Sequence, residues 1–231
     1  INGSNLLVFD GVTLSLPAAT LYEHDATVNG QTHTLRASGQ GSRLELPAVT
    51  RIANGSYYGS DVVIEAFAGG VVGCSAVTQI TDPAGNTSQR DVRVIADGLG
   101  SDVLFTALAT FADANADVRS QMTARNYGSV TVSPAGTSVQ NVEVTLSRLG
   151  SLAGSLELQS GSRLGGQGTL YGNVVNRGLV YPGNHLVVQG DYRQSAGGRL
   201  EIELRGLLPI VEHDLLTVTG QAQLDGVLDA K

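Results

Sequence analysis

Three stretches decide the architecture: LRASGQGSRLELPAVTRI (Leu35 to Ile52), IEAFAGGVVGCSAVTQI (Ile64 to Ile80) and VIADGLGSDVLFTALATF (Val94 to Phe111). Aligned on Gly41, Gly69 and Gly100, they agree column by column. Three residues after the glycine stand Leu44, Val72 and Val103; five after, Leu46, Cys74 and Phe105; eight after, Val49, Val77 and Leu108; eleven after, Ile52, Ile80 and Phe111. Thr50, Thr78 and Thr110 recur close behind, and a weaker fourth copy runs from Met122 to Val139. Internal repeats of this length mark a stacked architecture, in which each repeat is one unit that cannot bury its apolar side alone.

Each copy reads as one coil. The alternation Leu44/Leu46 or Val103/Phe105 has the period of two of a strand with one buried face. The glycine before it supplies a sharp turn, because glycine takes positive φ without a Cβ clash. A second short strand follows at Val49 to Ile52, and then a polar segment of variable length, ANGSYYGS or TDPAGNTSQR, leads to the next coil. Stacking aligns Leu44, Val72 and Val103 into one internal ladder, with Glu45, Gly73 and Leu104 facing away. The expected fold is all-β: a right-handed parallel β-helix, right-handed because parallel crossovers are overwhelmingly so. A β-sandwich is the alternative. The N-terminal NLLVFDGVTLSLP reads either as two more strands or as a cap.

Composition agrees with β. Of 231 residues, 42% are hydrophobic but only 15% charged, with 30 Gly and no Trp, whereas an average chain carries about 25% charged residues. Helical surfaces use more Lys and Glu than this. The formal charge of −7 and the absence of a basic run argue against nucleic acid or an anionic membrane as partner. No apolar run approaches the roughly 20 residues of a membrane helix, so no membrane insertion of this segment is expected. The single cysteine, Cys74, reads as a free buried thiol. Ile1-Asn2-Gly3-Ser4 has neither the charged nor the apolar region of a signal peptide, so the chain reads as a piece of a longer one.

Beyond Leu146 the strands come faster. The run Gly168-Thr169-Leu170-Tyr171-Gly172-Asn173-Val174-Val175-Asn176-Arg177-Gly178-Leu179-Val180-Tyr181-Pro182-Gly183-Asn184 resembles the G-x-L-x-G-x-V-x-N-x-G-x-V-x-P-G-x pattern near the ends of autotransporter passengers. The following Gly190 to Leu204 resembles, with one extra glycine, the family's G-x-Y-x-Q-x-x-G-x-L-x-I-x-L strand pair, and Asp214 to Leu228 its D-x-L-x-V-x-G-x-A-x-L-x-G-x-L run. The likeness covers about a quarter of the chain. It implies a β-helix exported to a bacterial surface, with a C-terminal stretch that caps the helix and seeds its folding. It names no ligand, and the translocating barrel is not in this chain. The expected organisation is coils over residues 1–185, with clear repeats in 32–139 and shorter Gly-rich coils in 146–185, then a capping, strand-pair region over 186–231 with tight turns at Gly190-Asp191 and Gly197-Gly198.

Candidate site residues are few. Asp61 and Asp91 align on adjacent coils, where paired carboxylates could serve as acid and base on a glycan; solvated acids at strand entrances are the plainer reading, and Arg90, Arg93 and Arg119 lie only loosely near. Tyr57 and Tyr58 in the first loop could offer an aromatic platform to a ligand or anchor the loop. Asp113, Asn115 and Asp117 have the D-x-N-x-D spacing that opens a calcium loop, but Val118 and Ala124 stand where the turn glycine and the bidentate acid belong. His24, His33, His185 and His213 are scattered, with surface or edge positions expected. No catalytic residue, resident metal or cofactor is expected. The resulting expectation is a non-catalytic scaffold or stalk of an exported surface protein that serves adhesion or display. Its expected partners are a host or environmental glycan or protein and further coils of the same parent chain. The alternative is a glycan-binding or glycan-cleaving β-helix with a carboxylate-bearing face.

Overall fold

The computed structural model describes every residue except Ala26, Asn86, Thr87 and Ala116. All regular structure among the described residues is β, and every pairing between named strands is parallel. Three strands recur in each repeat. The first face begins with Leu6–Phe9, Thr32–Ser38, Asp61–Phe67, Asp91–Asp97 and Ser120–Arg125. The second begins with Thr13–Ser15, Arg43–Glu45, Val71–Gly73, Asp102–Leu104 and Ser129–Thr131. The third is a separate nine-stranded sheet, from Leu21–Glu23 to Ala222–Gln223. Parallel strands that pair only with the preceding and following repeats exclude an antiparallel sandwich and are consistent with a β-solenoid.

The aligned columns stack as expected. Leu44 is the register partner of Val72, Val72 of Val103 and Val103 of Val130, and the ladder continues through Leu152 and Leu170 to Val188. Parallel ladders run along the first face from Leu35 to Leu200 and along the third from Tyr22 through Ile52, Ile80 and Phe111. Leu46, Cys74 and Phe105 are also buried. Burial pushes the Cys74 thiol up to about 12, so it packs as a small hydrophobe. The corner glycines Gly11, Gly41, Gly69 and Gly100 have φ of 75°, 81°, 87° and 75°, and a Cβ on Gly69 would sit 3.2 Å from the Gln40 Cα below it.

The outward column departs in one place. Glu45 and Leu104 are half-buried as expected, but Gly73 is fully covered because the Glu45 carboxylate lies across it, and a Cβ there would collide with it. The N-terminal stretch forms a complete coil: Leu6 pairs with Leu35, Leu14 with Leu44 and Tyr22 with Ile52.

Coils shorten along the chain as far as Gln189 and lengthen again in the last coil, where Leu186 pairs with Leu216. Leu35 pairs with Ile64 and Ile64 with Val94, but Val144 already pairs with Leu164 and Leu164 with Val180. With the corner loops gone, the first and second faces fuse into single long strands, Val142–Ala153, Arg163–Tyr171 and Leu179–Gln189.

The strand-pair reading of residues 186–231 needs correction. Tyr192–Gln194 and Arg199–Ile202 do not pair with each other; the first lies on the third face and the second on the first face, so Gly197-Gly198 is a corner and not a hairpin turn. Leu186 pairs in parallel with Leu216, and Leu200 with Leu228. The segment therefore extends the stack, and its last coil leaves Leu224 and Leu228 exposed.

Phe105 is completely buried between the coils of Cys74 and Val132. Replacing it with Ala leaves a cavity, and urea denaturation should show a loss of about 3–5 kcal/mol with the β signature in circular dichroism unchanged.

Candidate functional site

In the N-terminal coils the chain leaves the wall in its longest loops where the third face turns back to the first. The residues at that exit form a polar column: His24, Asn54, Asp82 and Asp113, on successive coils. All four are buried. Peptide groups near the loop mouths have lost their sheet partners, and side chains must replace them. Asn54 does so with its amide, whose Nδ2 donates to the Ser60 carbonyl at 2.7 Å, to Asp82 Oδ1 at 2.9 Å and to the Asp91 carbonyl at 3.2 Å. This fixes Oδ1 as the acceptor of the Gly55 amide at 2.8 Å and of His24 Nδ1 at 3.1 Å. His24 therefore carries its proton on Nδ1, and Nε2 is a buried lone pair with no hydrogen-bond partner among the described residues. Burial holds the pKa of His24 below its usual value.

Arg90 is fully buried and clamps two loops, donating from Nη1 to the Gly55 carbonyl at 2.8 Å and from Nη2 to the Pro83 carbonyl at 2.7 Å. Its nearest charge is Asp82, 4.0 Å away. Burial outweighs that attraction, and the neighbouring Asp113 and Asp91 add to it, so the Asp82 carboxyl is pushed up to about 7.

Asp61 and Asp91 are direct register partners on the outside of the first face. The sequence expectation that the arginines lie only loosely near them fails for Arg93. Strand alternation puts Arg93 on the same face two residues after Asp91, so Nη2 reaches Asp61 Oδ2 at 2.7 Å and Nε lies 3.1 Å from Asp91 Oδ1. Burial raises the pKa of Asp91; Arg93 opposes the shift and the Asp61 charge reinforces it. Two carboxyls in direct register, one of them with a raised pKa, have the arrangement of an acid and base pair. Arg90 faces the interior, and Arg119 reaches along the stack away from Asp91, donating to the Gly161 carbonyl at 3.0 Å.

The calcium candidates are used otherwise. Asp113 is buried, with Oδ1 accepting the Asn115 amide at 2.8 Å and Oδ2 accepting the Ser120 amide at 2.8 Å and its hydroxyl at 2.9 Å. Asp117 accepts from Asn115 Nδ2 and from the Gln89 amide, both at 2.7 Å. The Ala116 position within the motif lies outside the described residues. No group of three or more His, Cys, Asp or Glu side chains among the described residues has metal-binding geometry.

Tyr57 and Tyr58 are 46% and 48% exposed. Their backbone carbonyls tie the loop down, accepting from Ser60 and Gly30, while the rings stay at the surface. Beside this loop lies an open groove of about 350 Å³ lined in part by Glu23, Asp25, Arg51, Ser56 and Pro83. Sequence reasoning missed His24 and His33, whose rings stand edge to face at 4.3 Å. They lie on consecutive coils, and His24 is an interior residue, not a surface one. The signal was its position one residue beyond a third-face strand, in the column of Asn54 and Asp82.

No protein-family model, curated protein or solved structure matches this chain.

The corner sets a pH dependence. Asp82 has an ordinary value of 3.8 and a folded value of about 7, so between these pH values the folded state binds the extra proton. That contribution is fully present below the unfolded pKa and is lost as pH rises through 7. His24 and His33, both lowered, act in the opposite sense below their usual value. Relative to Asp82→Asn, the parent protein should lose on the order of 2 kcal/mol between pH 5.5 and pH 8.5, read as a falling urea midpoint that stays flatter in the variant.

Proposed function

We propose that this chain is a right-handed parallel β-helical scaffold, part of an exported bacterial surface protein, that holds or displays recognition elements away from the cell. The observation that supports it most is the unbroken internal ladder. Each coil adds about 4.8 Å, so the nine-stranded third face makes a rod about 40 Å long, and its third-face ladder is apolar from Tyr22 to Leu158. The exterior charges of the first face largely neutralise one another within pairs: Arg36 with Glu65, Arg93 with Asp61 and Asp91, Arg125 with Asp97. A surface neutralised in this way suits a spacer. The resemblance of Gly168 to Leu228 to autotransporter passengers supplies the surface location and assigns the C-terminal coils the role of a folding seed.

Protease shaving of intact producing cells tests the location: peptides of this chain should be released from cells whose cytoplasmic markers stay protected. Truncation after Gly183 tests the seed. It strips the coil that covers Val174 and Val180, and the shortened chain should refold more slowly and aggregate. Intracellular retention of the chain, or equal refolding yields, would count against the reading.

A second reading, glycan binding or cleavage, draws on the Asp61, Arg93 and Asp91 cluster and on the exposed Tyr57 and Tyr58. The scaffold reading expects the purified chain to show no turnover on soluble polysaccharides. Turnover abolished by Asp91→Asn in a folded variant would favour the second reading instead.

A further inference from the structure

The corner between the first and second faces turns through two left-handed residues: they are adjacent in four coils and separated by one residue in the coils of Gly39/Gly41 and Gly98/Gly100. Where it is cheap, its second residue is glycine, as in Asp10-Gly11 with φ of 57° and 75° and Ala68-Gly69 with φ of 49° and 87°. Two coils in the middle of the stack break this pattern. Asn126-Tyr127 has φ of 54° and 67°, and Arg148-Leu149 has 47° and 63°. A bulky side chain at positive φ is a backbone cost that glycine or asparagine would avoid. Burial does not offset it, because Tyr127 is 59% and Leu149 61% exposed.

The two residues are neighbours: Arg125 pairs with Ser147 and Ser129 with Ser151, which puts Tyr127 opposite Leu149. On the preceding coil, Leu99 occupies the same corner at 79% exposure. Tyr127 and Leu149 thus stand in one row, about 4.8 Å apart, with Leu99 exposed at the same corner one coil earlier. The strip of second face beside them presents Ser129, Thr131, Ser151, Ala153 and Thr169, none of them charged. Charge is ordered along the ridge: the Asp97 of the Leu99 coil is paired with Arg125, which leaves Asp102 on that coil and Arg148 on the coil of Leu149. Among the described residues neither Asp102 nor Arg148 lies within ion-pair distance of a partner; burial raises the Asp102 pKa and the more distant Arg43 charge opposes the shift.

We propose that this ridge, with the uncharged strip next to it, is a contact between two copies of this chain. An antiparallel arrangement about Tyr127 is the one that fits. It sets Leu99 of each copy against the partner's Leu149, and it brings the acidic coil of each copy over the basic coil of the other, twice by symmetry. The patch spans three coils, which places it at the small end of specific interfaces, below about 1,200 Å² in total. The contact is weak and concentration-dependent.

Sedimentation equilibrium of the purified chain at low salt tests this. The average mass should climb from monomer toward dimer between about 10 μM and about 1 mM, the range of a small interface. The double variant Tyr127→Asn, Leu149→Asn should remain monomeric at the upper concentration and melt at the same or a higher temperature, because asparagine tolerates the left-handed turn. Arg148→Asp should weaken association at least about tenfold, and adding Asp102→Arg should restore it. A wild-type chain that is monomeric at the upper concentration would overturn the proposal. So would association that persists in the Tyr127/Leu149 variant, which would place the contact elsewhere, at the stack ends for instance. Failure of the charge exchange to restore association would overturn the antiparallel arrangement.

Discussion

Everything in this molecule depends on one constraint: the backbone groups of each strand are satisfied only by the coils directly above and below it. A strand such as Val71–Gly73 has no other source of partners than Arg43–Glu45 and Asp102–Leu104. In-register parallel pairing brings side chains of one column into contact with their counterparts, so each column must hold residues that tolerate one another. Apolar columns satisfy this easily, and a fully buried Leu, Ile or Val contributes roughly 1.5–3 kcal/mol. Polar columns satisfy it by hydrogen bonding along the stack: the Thr50 and Thr78 hydroxyls each donate to the carbonyl of the threonine one coil earlier, at 3.2 Å.

The polar corner is the consequence of the same rule where loops interrupt it. A loop that leaves the wall strands its carbonyls at the mouth, and an apolar side chain there would leave them unpaired. Asn54 and Arg90 supply the donors, at the cost of burying a guanidinium with its carboxylate 4.0 Å away. Because each loop mouth lies one coil from the next, the carboxylates that serve them also stack, and Asp82 and Asp113 become register neighbours. The raised pKa of Asp82 follows from loop architecture. Catalysis is not needed to explain it.

The column alignment of Leu44, Val72 and Val103 could be read from the sequence because it depends only on spacing, and so could the contact of Asp61 with Asp91. Arg93 was missed as their bridge because a register partner is set by spacing, whereas the reach of a long side chain across coils is set by rotamer and charge. His24 was missed because nothing local marks it; its burial follows from a column whose members lie a full coil apart. The C-terminal strands were misread for a different reason. Gly197-Gly198 between alternating runs has the local chemistry of a hairpin, and only stacking on the preceding coils decides that it is a corner. Tyr127 and Leu149 carried no signal, since a left-handed conformation at such residues runs against their intrinsic preference.

The stack is not uniform along its length, and the change has a physical logic. The N-terminal coils have long loops at one corner, where the exposed tyrosines and the buried ionisable groups lie. Between Val142 and Gln189 the loops vanish and strands run through the corners between the first and second faces without a break. There the third-face ladder stops being apolar: Asn176 and Gln194 follow Leu158 in the column, with the Tyr192 hydroxyl bonded to both, at 3.0 Å and 3.1 Å. Asn176 also donates to the Arg199 carbonyl, and Gln194 to the Val227 carbonyl, each at 3.0 Å. These amides reach the backbone of the first-face strands through the interior, which a leucine ladder cannot do. Apolar columns slip at little cost, but a buried amide with a designated carbonyl fixes its register. These coils therefore exchange some apolar burial for a unique alignment with the strands they stack on.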